Sequence, residues 1–95
     1  MTKQNLIKLM QKNGYFHKKN VRSGVNGFPD SEFLKDGKTI FIEFKKDKDT
    51  LSELQKYWIN WLNKNQFTSF CYHEENSIIF PEDYYLELGF NIKNK

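Results

Sequence analysis

Cysteine is almost missing from this chain: Cys71 is the single one in 95 residues. One cysteine excludes an internal disulfide and any metal site built on a cysteine cluster, and it fits a reducing cytoplasm, a host's cytoplasm for a phage-encoded chain. Long apolar runs are missing too, and none approaches the ~18 residues of a membrane span. The start, MTKQNLIKLMQKNG, scatters charge through its apolar positions and has no cleavage-site pattern, so no secretory leader is expected. There is no internal repeat or low-complexity segment. The most informative gap is in charge. Residues 1–29 hold no Asp or Glu, and the first carboxylate is Asp30. Lys3, Lys8, Lys12, Lys18, Lys19 and Arg22 give that third +6, while nine cations against twelve acids leave the remainder at −3. A basic front suits a polyanionic partner, because each phosphate contact releases a counterion. A solvated lysine-rich surface explains the same charge.

What is present is aromatic bulk. Nine Phe, five Tyr and two Trp make up 17% of the residues. The length predicts one domain over residues 1–95. Such a chain buries only about 60–68% of its unfolded surface. Its thin core makes a homodimer a natural way to cover more.

The patterning predicts the order α-β-β-β-α-β-β. Thr2 can cap a first helix whose apolar face is Leu6, Ile7, Leu9 and Met10, with Gly14 as its stop. Tyr15 to Lys18 reads as a short strand, and residues 19–27 as a glycine-bearing polar loop. Asp49-Thr50 is the expected cap of a second helix, packed through Leu51, Leu54, Trp58, Trp61 and Leu62. Phe67 to Tyr72 and Ser77 to Phe80 read as strands. Pro81 is expected to open a last helical turn through Tyr84–Leu88, ending at Gly89. The fold class is α/β (α+β): one mixed sheet flanked by helices.

Between these lies the pair FPDSEFLK and KTIFIEFK, separated by Asp36-Gly37. Asp-Gly between β-rich runs predicts a type I′ hairpin, whose two central residues need φ > 0. Lys35 then pairs with Lys38 and partner numbers sum to 73, which sets Asp30 opposite Glu43. Opposed residues share a sheet face, with Cβ atoms about 4.5–5.5 Å apart. Lys45, two residues on, shares that face. Two opposed acids repel, and a divalent cation relieves the repulsion; oxygen ligands suit Mg²⁺ or Mn²⁺. A lysine beside such a pair can orient or deprotonate water, or stabilise charge on phosphate. The same triple on a solvated strand edge would have no chemistry.

Gly27-Phe28-Pro29-Asp30, Glu43-Phe44-Lys45 and Gln55 within LSELQKYW resemble the PD-(D/E)XK nuclease superfamily. More narrowly they resemble the stand-alone VRR-NUC domains of bacteriophages and bacteria, over roughly residues 2–73. The resemblance implies a restriction-endonuclease-like fold and divalent-metal cleavage of DNA. It implies Asp30, Glu43 and the Phe44 carbonyl as metal ligands, Lys45 as the catalytic lysine and Gln55 as support. It also implies a homodimer acting on duplex or branched, Holliday-junction-like DNA. Related nucleases add a first-helix glutamate, which this chain lacks. Gln4 stands about where that ligand is sought, and a weaker metal site follows from the exchange.

Lys18, Lys19, Arg22, Ser23 and Asn26 precede the acids, and Lys46 and Lys48 follow the catalytic strand. As a set they are candidate DNA-phosphate contacts. His17 and His73 lack zinc-site spacing and read as ordinary strand or surface residues. Cys71 reads as a buried thiol, and Trp58 and Trp61 as core or dimer surface. No small-molecule cofactor or membrane partner is expected. The competing reading is a weak or inactive nuclease fold that binds DNA or a protein, such as a phage inhibitor of a host factor.

Overall fold

The structure is a computed structural model that describes residues 1–20, 25–82, 84–87 and 91–93, the last two segments and Tyr85–Glu87 by backbone alone beyond Tyr84. The element order is α1 (Lys3–Lys12), β1 (Phe16–Lys19), β2 (Ser31–Lys35), β3 (Lys38–Lys45), α2 (Glu53–Lys64), β4 (Thr68–His73), β5 (Ser77–Phe80), β6 (Tyr85–Glu87) and β7 (Asn91–Lys93). Strands β1 to β5 form one sheet in sequence order, and β6 pairs with β7. All neighbours in the larger sheet are antiparallel except β3 and β4, which run parallel. A parallel pair needs a crossover, and α2 supplies it.

The β2–β3 hairpin has the predicted register. Lys35 pairs with Lys38 and Ser31 with Ile42. Asp36 and Gly37 take φ of 50° and 77°, the left-handed pair that the tight turn requires. Strand β3 is central, and its residues from Ile40 to Phe44 are buried on both faces.

Alternation along β3 divides the molecule into two layers. Ile40, Ile42 and Phe44 face α1 and join Leu6, Ile7, Met10, Phe33, Phe70 and Tyr72 in the main core. Each of these large side chains contributes about 1.5–3 kcal/mol when fully buried. Phe41 and Glu43 face α2, whose buried residues are Ile59 and Leu62. α1 begins as predicted, with Thr2 Oγ1 accepting from Asn5 N–H at 3.1 Å.

Three expectations change. α2 starts at Ser52 rather than Asp49-Thr50, because Ser52 and Gln55 form a reciprocal capping box. Its core side is Ile59 and Leu62, while Leu54 and Trp61 are 45% and 40% exposed. The aromatic stripe had drawn the predicted face about one helical position too far round. The last segment holds the short strand β6 where a helical turn was expected, because β7 offers it a backbone partner; Leu88 and Gly89 lie outside the described residues. No helix among the described residues is long and apolar enough to cross a membrane.

Candidate active site

Ladder pairing between β2 and β3 stops at Ser31 and Ile42. Just beyond it β2 is held by β1's continuation: Asn20 N–H donates to the Asp30 carbonyl at 2.8 Å, and its side-chain amide to the Pro29 carbonyl at 2.9 Å. The strands part there, and a cleft of about 500 Å³ opens, lined by Asp30, Glu43 and Gln55 together with Lys18, Asn20, Asn26 and Glu32. Gly27 closes one wall at φ +81°. A Cβ there would lie 2.8 Å from Leu54 Cγ, so only glycine lets the loop approach α2.

Glu43 is the buried centre of the group, with a side chain 9% exposed. Two donors converge on its Oε2: Gln55 Nε2 at 3.3 Å and Lys45 Nζ at 3.8 Å. Gln55 cannot turn its amide over. Its Oε1 accepts from the Ser52 N–H at 2.9 Å, and its own N–H donates to Ser52 Oγ at 3.1 Å. The helix cap therefore aims the amide nitrogen at the acid. Both readings of Gln55, backbone partner and site support, are realised by one side chain.

The electrostatics are unfavourable to charge. Burial, then repulsion from Asp30, pushes the Glu43 carboxyl up to about 7, against the pull of Lys45. Burial also raises Asp30; Lys3, the Phe44 backbone N–H and Lys45 pull it back down in that order. Asp30 Oδ1 is buried and has no hydrogen-bond partner among the described residues. An orphaned carboxylate oxygen beside a second desolvated acid is a donor set that fits a hard divalent cation. Among the described residues no cluster of three His, Cys, Asp or Glu side chains occurs, so the acids available are these two.

The remaining sequence candidates divide by place. Lys18 and Asn26 line the cleft, and Lys18 lies 3.9 Å from Glu32. Gln4 lines a different cavity, of about 370 Å³ on the α1 side, with Lys3, Phe44, Lys45 and Lys46. Lys19 lines a third, with His17, Lys8 and Ser31. Lys48 lies apart, in a cavity that includes His73. Arg22 and Ser23 lie outside the described residues.

His73 is buried and both ring nitrogens are used. Nε2 is 2.9 Å from the Asp47 carbonyl, and Nδ1 accepts from Glu75 N–H at 3.1 Å. A carbonyl only accepts, so the proton sits on Nε2. Cys71 is a buried free thiol beside Glu43 in register, and burial followed by the Glu43 charge pushes it up to about 12. It is no nucleophile there. Sequence reasoning missed Ser52 and Lys3. The S-x-x-Q spacing ahead of α2 was a usable signal for Ser52. Lys3 had no local signal, since its place depends on how α1 docks.

Comparison with known proteins supplies one family finding. The VRR-NUC domain model matches residues 2–73 of the chain. No curated protein matches it.

Proposed function

Because the chain belongs to the VRR-NUC domain family, a nuclease-related family, we propose that it is a divalent-metal-dependent endodeoxyribonuclease that hydrolyses DNA phosphodiester bonds. The observation that carries this reading is the cleft pair Asp30 and Glu43: two buried acids, both raised, one with an orphaned oxygen, and Lys45 3.8 Å from the other.

Asp30, Glu43 and the Phe44 carbonyl would hold Mg²⁺ or Mn²⁺, which when bound polarises a phosphoryl oxygen and lowers the pKa of water. Lys45 donates hydrogen bonds to the phosphate and stabilises the charge that gathers on it as water attacks phosphorus and a P–O bond breaks. Gln55 is a positioning residue, fixing one carboxylate oxygen of Glu43 through a cap that does not move with substrate. Lys18 and Asn26 on the cleft wall, and Lys46 near Lys45, hold neighbouring phosphates. None of these contacts reads a base edge, so recognition rests on backbone shape, in keeping with branched substrates.

The homodimer is part of the same proposal. Leu54, Tyr57 and Trp61 form a stripe at helical spacing on the outer side of α2 and are 45%, 54% and 40% exposed. An apolar stripe of this kind on a small domain marks a contact surface.

The test is cleavage of junction, flap, single-stranded and duplex DNA with and without Mn²⁺. Asp30→Asn, Glu43→Gln and Lys45→Ala each abolish metal-dependent cleavage while circular dichroism stays native. Full cleavage by all three variants refutes the site. A wild-type chain that binds DNA and never cuts it identifies the inactive binding module instead.

A further inference from the structure

Lys3 is the cation that α1 brings to the site. Its backbone N–H donates to Glu74 Oε2 at 2.7 Å, and its ammonium lies 5.1 Å from the centroid of the Phe44 ring. It lines the cavity that contains Phe44 and Lys45, and also the one that contains His17 and Ser31. Phe44 directly follows Glu43, and Ser31 directly follows Asp30. Lys3 thus touches both acid-bearing segments from the face opposite α2. Its charge is the largest attraction on Asp30, ahead of Lys45, and it also acts on Glu43.

We propose that Lys3 is a second fixed cation of the active site, which limits the two carboxylates to one divalent ion and binds a DNA phosphate oxygen from the α1 side. This rests on the nuclease reading above. Two acids and two lysines make a neutral group. One divalent ion brings it to +2, a charge suited to DNA phosphate. A second ion would meet no third acid among the described residues and would face both ammonium groups. Lys3 therefore opposes metal and attracts phosphate. Removing it shifts the two affinities in opposite directions, which the loss of a merely structural contact would not do.

The experiment uses the full chain, with Lys3→Gln, Lys3→Met to keep an apolar stem over Phe44, and Lys3→Arg. Mn²⁺ alone is titrated and free Mn²⁺ followed by electron paramagnetic resonance. Lys3→Gln and Lys3→Met bind Mn²⁺ about three- to tenfold more tightly than wild type, the scale of one partly screened charge. Lys3→Arg restores wild-type Mn²⁺ affinity, and wild type takes one ion per chain. In single-turnover cleavage of duplex DNA, the half-saturating DNA concentration rises about three- to tenfold in the Gln and Met variants. Two ions per wild-type chain, or unchanged or weaker Mn²⁺ binding in both variants, overturns the proposal. If wild type cuts no DNA, the nuclease reading fails, and the Mn²⁺ titration alone decides the part played by Lys3.

Discussion

Glu43→Gln should stabilise the metal-free protein at alkaline pH, although it removes a central residue of the site. Folding raises the Glu43 carboxyl from its ordinary 4.5 to about 7, through burial first and Asp30 second. Between those values the folded chain binds more protons than the unfolded chain, so stability falls as pH rises. It is fully present below the unfolded value and lost by the time pH passes the folded one. One unit corresponds to 1.36 kcal/mol, so the shift amounts to about 3 kcal/mol in total, and about 2.5 kcal/mol of it is lost between pH 5 and pH 8. For a domain of this size that is a fall in Tm of about 10–20 °C. Glutamine keeps the shape and cannot ionise, so the variant lacks this slope. The assay is urea unfolding in EDTA at pH 5, 6, 7 and 8, wild type against Glu43→Gln. Mn²⁺ at a hundredfold its Kd should return about 2.7 kcal/mol to wild type at pH 8. It should return less at pH 5, where protons compete for the ligands. Parallel pH profiles for the two proteins would refute the reasoning.

Other outcomes follow from the same geometry. Ser52→Ala removes the α2 cap and costs about 0.5–2 kcal/mol in urea unfolding; it also lowers cleavage, because the Gln55 amide loses its anchor. Gln55→Glu keeps an acceptor for the Ser52 N–H and sets a charge against Glu43, so its thermal stability drops more between pH 5 and pH 8 than that of Gln55→Ala. Gly27→Ala meets Leu54 at 2.8 Å with a positive φ, and roughly 1–3 kcal/mol is lost. Gly37→Ala meets nothing within 4 Å and bears backbone strain alone, about 1–2 kcal/mol. Trp61→Lys on the exposed stripe shifts sedimentation towards monomer without unfolding the chain.

The hairpin was legible because its information is local. Asp36-Gly37 dictates a turn type, the turn dictates a register, and the register brings Asp30 near Glu43 with no reference to the rest of the fold. The central place of β3 was legible from its unbroken apolar run. The phase of α2 was not. Its aromatics sit on the outer side, and a moment computed by eye follows the largest side chains rather than the buried ones, so Ile59 went unnoticed. The final strand was misread because its pairing with residues 91–93 outweighs the weak helical pattern of residues 84–88. The place of Lys3 depends on α1 docking against Phe44, a contact forty-one residues away in sequence, which no local pattern encodes.

The eight residues of β3 carry a constraint on length that outranks their identities. Any β-branched or aromatic side chain serves at several of these positions. Yet deleting one residue between Lys38 and Glu43 would reverse the side on which every later side chain emerges. The acid would then press into the greasy layer under α1, and Phe44 would fill the cleft. Point changes along this strand can drift, whereas a single lost codon would exchange the reactive face for the oily one.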